Sequence, residues 1–99
     1  MRIPIHPGEH LADDLEAMEM TAAELAERLQ VPSNTVADLL EGRSALDADM
    51  ALRLGKFLGT SPGFWLNLQK TYELDLARER MGDTLDRITA RADAPIAAE

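Results

Sequence analysis

Ninety-nine residues with ten Lys+Arg, eighteen Asp+Glu and no cysteine describe one small acidic domain of formal charge −8. Apolar residues make up 45% of the chain, which excludes a disordered polymer, and the missing thiols exclude a disulfide framework and any thiolate metal site. One Trp, one Tyr and two Phe leave the core to Leu, Ala, Met and Val, a composition that favours helices over strands.

Five helices follow from periodicity and capping. The first spans Pro7 to Met18, with proline at its start and Leu11, Leu15 and Met18 along one stripe. The second runs from Thr21 to Leu29, where Thr21 and Glu24 have the spacing of a capping box and Leu25, Ala26 and Leu29 form the inner face. After a tight break at Gln30-Val31, a third helix is expected from Ser33, taken as its cap, to Glu41, closed by Gly42. Its buried stripe is Val36, Leu39 and Leu40. The fourth starts near Asp47, has Leu52, Phe57 and Leu58 among its apolar positions, and ends at Gly59.

The fifth begins at Thr60-Ser61-Pro62 and reaches about Arg80, with Trp65, Leu68, Tyr72 and Leu76 advancing by three, four and four. Phe64 and Trp65 are expected beneath the fourth helix. Beyond Met81, Leu85 and Ile88 keep a weak helical spacing until Ala92-Asp93-Ala94-Pro95 breaks it, and the last eight residues are expected to fray. The organisation is therefore an all-α domain over 3–80 with an extension over 81–99. No apolar run is long enough to span a membrane and the N-terminus lacks a signal peptide's hydrophobic stretch, so the expected location is the cytoplasm, with no membrane partner.

The spacing Leu25-Ala26, Leu29, Val31, Val36, Leu39 fits two short helices crossing at a small residue, as in a helix-turn-helix, although an ordinary α-hairpin shares part of it. In a helix-turn-helix, Pro32, Ser33, Asn34, Thr35, Ala37, Asp38 and Glu41 would face the major groove. Asn34 suits a bidentate pair with adenine, Ser33 and Thr35 suit phosphates or bases, and Ala37 suits a thymine methyl. Asp38 and Glu41 can accept from a cytosine amino group but also repel phosphate. Arg28 and Arg43 are the candidate phosphate contacts, with a solvated surface charge as the alternative for each. Residues 21–60 hold four basic side chains against six acidic ones, so any positive patch is small.

His6-Pro7-Gly8-Glu9-His10 matches an inverted zinc-peptidase pattern, but Pro7-Gly8 puts the helix start inside the motif and denies both histidines one helical face. No metal, cofactor or catalytic residue is assigned. The outer face of the last helix, with Tyr72, Leu76 and Leu85, is the candidate surface for a second copy.

These residues resemble those of HigA-type antitoxins, from the xenobiotic-response-element group of helix-turn-helix regulators. The matching stretches are Ile5 to Glu9, Leu25 to Leu29, Val36 through Gly42-Arg43, Asp49 to Leu54, and the specific run Phe57 to Gln69. The resemblance implies a five-helix, lambda-repressor-like helix-turn-helix domain with an extended C-terminal helix. It also implies a type II antitoxin that represses its own operon by binding operator DNA as a homodimer and neutralises a small basic RNA-cleaving toxin. An acidic chain suits such a partner. Two departures stand out: Gln30 occupies a turn position where the family usually has glycine, and Pro32-Ser33-Asn34 replace the family's basic residues. A solitary transcriptional regulator, or an interaction module with weakened DNA binding, is the alternative.

Overall fold

The computed structural model describes residues 3–91, and the expected fraying of the last eight residues falls outside them. Five α-helices are followed by one short 3₁₀ helix, with no strand among the described residues. Helix α1 spans Pro7–Met18, α2 Ala22–Leu29, α3 Ser33–Leu40, α4 Ala48–Leu58 and α5 Pro62–Met81, with the 3₁₀ turn at Gly82–Arg87.

Most helix starts are set by side chains that satisfy the free amides of the first turn. The Thr21 hydroxyl accepts from the Glu24 N–H at 3.1 Å while the Glu24 carboxylate accepts from the Thr21 N–H at 2.8 Å, a complete capping box on α2. Asp47 caps α4 by accepting from the Met50 N–H at 2.9 Å, and Ser61 caps α5 ahead of Pro62. Helix α3 differs from expectation. Its cap position is Pro32, with extended backbone, and Ser33 lies inside the first turn, so no side chain caps this helix. Proline's restricted φ, here −62°, places the turn-to-helix transition one residue earlier than the serine suggested.

The core gathers Leu11 and Leu15 from α1, Leu25, Ala26 and Leu29 from α2, Val36 and Leu39 from α3, Leu46, Met50, Ala51 and Leu54 around α4, and Trp65 from α5. Each fully buried large aliphatic contributes about 2 kcal/mol by leaving water. Helix α1 crosses the end of α3 so closely that a Cβ at Gly8 would lie 2.0 Å from the Leu39 carbonyl oxygen. Only glycine permits that contact. Two apolar side chains stay out of the core: Leu52 on α4 is 61% exposed, and Phe64, expected beneath the fourth helix, is 37% exposed beside a fully buried Trp65. In their place α5 buries Gln69 and Asp75.

Candidate nucleic-acid interface

Helices α2 and α3 meet through Gln30-Val31-Pro32. Gln30 takes the left-handed conformation, φ 60° and ψ 47°, which costs a residue with a Cβ roughly 1–2 kcal/mol. In return the Val31 N–H donates to the Ala26 carbonyl at 3.0 Å and the Gln30 N–H to the Glu27 carbonyl at 3.2 Å, which closes the end of α2. A side chain from α4 braces the same turn: Arg53 Nη1 donates to the Leu29 carbonyl at 2.7 Å and, more weakly, to the Gln30 carbonyl at 3.4 Å. Asp49 orients that guanidinium through a 2.5 Å bond to Nε. The left-handed glutamine is thus held by both backbone and side-chain bonds.

The far end of α3 is equally tied. Gly42 sits at φ 75°, its N–H donates to the Leu39 carbonyl at 3.1 Å, and the Arg43 N–H donates to the Asp38 carbonyl at 2.9 Å. The following loop is pinned from two helices. His6 Nε2 donates to the Ser44 carbonyl at 2.8 Å, and the Leu46 N–H donates to Gln69 Oε1 at 2.8 Å. Gln69 is itself oriented by donating to Glu73 at 2.8 Å. His6 Nδ1 accepts from the Gly8 N–H at 2.9 Å, so one imidazole both caps α1 and positions the loop after α3. Both ring nitrogens are engaged, and His10 lies 3.3 Å from Asp14 instead. The histidine motif works as a helix start. His6, Gln69 and Arg53 are the positioning residues that spacing alone did not reveal, because each acts on a segment 23 or more residues away.

Between these fixed ends α3 presents an outer face. Ser33, Asn34 and Glu41 are exposed and Ala37 and Asp38 half-buried, while Thr35 turns toward the loop and lines a small cavity with Ser44 and Met50. The uncapped first turn leaves backbone donors beside Ser33 and Asn34.

The two arginines do not form one patch. Arg43 is clamped by acids: its Nη2 and Nε donate to Asp38 Oδ1 at 3.0 and 3.3 Å, and its Nη1 pairs with Glu41. The hydrogen bonds it donates to Asp38, then the charge of Glu41, raise its pKa above the usual arginine value. Arg28 stands before the turn, in an open groove with Arg53, Lys56 and the exposed Leu52 whose lining does not include Arg43. Glu24, one turn before Arg28, is occupied by its capping box.

Along α5, Tyr72 is half-buried with its ring edge-on to His6 at 4.9 Å, and Leu76 is half-buried one turn later. Leu85 lies beyond the helix end and is 46% exposed. Asp75 lies between Tyr72 and Leu76, buried, with a carboxylate oxygen 3.2 Å from Arg78. No described helix is long and apolar enough to cross a membrane.

A helix-turn-helix family model matches residues 11–65. Antitoxin HigA-1 of Vibrio cholerae is 41% identical over 80 residues, covering 80% of this chain and 75% of that protein. Among solved structures, an addiction module antidote protein of the HigA family from Coxiella burnetii superposes with a TM-score of 0.87 at 45% identity, covering 92% of this chain and 100% of that one. Pseudomonas aeruginosa antitoxin HigA, solved with the higBA promoter, gives a TM-score of 0.84 at 38% identity over 91% of this chain and 99% of its own. The chain belongs to the helix-turn-helix family and, within it, to the HigA antitoxins.

Proposed function

We propose that this protein is the antitoxin of a type II toxin–antitoxin pair, which binds operator DNA as a homodimer to repress its own operon and neutralises a small basic RNA-cleaving toxin. The observation that carries the reading is the exposed face of α3, held at both ends by bonds from α1, α4 and α5, in a chain so similar to a HigA solved with its promoter. Asn34 reads a base edge, with Ser33 and Ala37 beside it, Asp38 limiting phosphate approach, and Thr35 turned toward the loop after α3 instead. Backbone donors at the start of α3, with Arg28 and Arg43, hold phosphates. Operators are read as two half-sites, and Tyr72, Leu76 and Leu85 are the candidate face for the two-fold partner. The charge of −8 serves the other half of the function, since an acidic surface attracts and orients a basic toxin.

The test is twofold. Co-expression with a small basic RNA-cleaving toxin, sought first in the neighbouring reading frames, is expected to restore the growth that the toxin arrests and to yield a complex that purifies together. The chain alone is expected to repress a reporter driven by its own promoter. Toxicity that persists at saturating antitoxin removes the neutralising role. An unrepressed reporter removes the regulatory one.

A further inference from the structure

Asp38 on α3 and Glu41, the residue that caps its end, follow Asn34 by four and seven positions, so they share the face assigned to DNA. Both carboxylates close on the guanidinium that follows the helix. Asp38 Oδ1 takes Nη2 at 3.0 Å and Nε at 3.3 Å, which is the paired edge a guanidinium offers a phosphate, and Glu41 takes Nη1. Burial does not force this arrangement: the side chains of Asp38, Glu41 and Arg43 are 43%, 55% and 62% exposed. The backbone of Arg43 is fixed by its N–H bond to the Asp38 carbonyl at 2.9 Å, so the side chain alone must swing.

We propose that Asp38 and Glu41 form an acidic clamp that keeps Arg43 from nucleic acid until a phosphate displaces them, lowering affinity for DNA of every sequence. The inference rests on the DNA-binding reading above. It gives Asp38 and Glu41 a role as residues that set affinity by occupying a cation, separate from any contact of their own with bases.

Asp38→Asn, Glu41→Gln and the double variant keep the shape of each side chain and remove its charge. Binding is read by fluorescence anisotropy on the chain's own promoter duplex and on a scrambled duplex, in wild-type and Arg43→Ala backgrounds. Each single change is expected to tighten binding about threefold and the double about tenfold, equally on both duplexes, from the strength of exposed ion pairs. In the Arg43→Ala background most of the gain disappears, which simple relief of carboxylate–phosphate repulsion does not predict.

An equal gain without Arg43 overturns the clamp, as does weaker binding by the neutral variants. Wild-type binding that the double variant leaves unchanged removes the clamp and leaves the DNA-binding reading standing. Absence of binding by wild type and double variant alike at low salt removes both. Thermal melts of each variant verify folding.

Discussion

Gly8→Ala isolates the contact that joins α1 to the candidate reading helix. A Cβ there falls 2.0 Å from the Leu39 carbonyl oxygen, whereas ordinary contact begins at 3.4 Å. The obstacle is backbone, so no rotamer change relieves it, and α1 must move away from α3 by roughly 1.4 Å in a close-packed interior. Such overpacking costs about 3 kcal/mol, because the shift also loosens Leu11 and Leu15 against α3. For a domain of this size the melting temperature should fall by about 12–24 °C. The control is Gly63→Ala, where the new Cβ meets only the Ser61 hydroxyl oxygen at 3.9 Å and a helical alanine is favoured over glycine by about 0.5–1 kcal/mol. Urea and thermal unfolding at one fixed protein concentration measure both. Opposite signs are expected. A Gly8→Ala protein within 1 kcal/mol of wild type would refute the reasoning.

Gln30→Gly should stabilise by about 0.5–1 kcal/mol, the relief of the left-handed conformation less the entropy that glycine loses, and a lowered urea midpoint would show that the side chain contributes more than its backbone costs. Gln69→Leu leaves the buried Leu46 N–H without its acceptor and should destabilise by about 1–3 kcal/mol; an unchanged midpoint would mean the loop after α3 does not depend on that bond. Arg43→Ala should weaken binding about equally on all duplexes and reduce the salt slope by about one, read by anisotropy at several ionic strengths. Asn34→Ala should alter sequence preference, costing about 1–3 kcal/mol at one base position; equal loss on every duplex would remove its base-reading role.

Local chemistry was legible wherever a cap or turn residue acts on its own helix. Thr21 with Glu24, Asp47, Ser61 ahead of Pro62, and Gly42 all mark the observed ends, and the Leu25-Ala26 to Leu39 spacing identified the crossing of α2 and α3. Ser33 misled because a proline before it already supplies the extended residue that precedes the helix. Tertiary placement was less visible. Leu52 fits an apolar stripe yet faces a groove beside Arg53 and Lys56, and Gln69 looks like a surface residue yet enters the core to take the Leu46 N–H. Periodicity ranks residues by polarity, whereas burial of Gln69 depends on a donor 23 residues away. The site shows the same division. The outer residues of α3 follow from the motif, but the clamp on Arg43 and the braces from His6 and Arg53 arise only once the helices have met.

The acidity of the chain and its assignment to DNA meet in one quantity, the ratio of affinities for promoter and unrelated duplex. Anisotropy titration of both at 50 and 200 mM salt measures it. Specific binding should exceed non-specific binding by a factor on the order of 10³ or more and weaken as salt rises. Equal affinity for the two duplexes at both salt concentrations would contradict the operator-binding account.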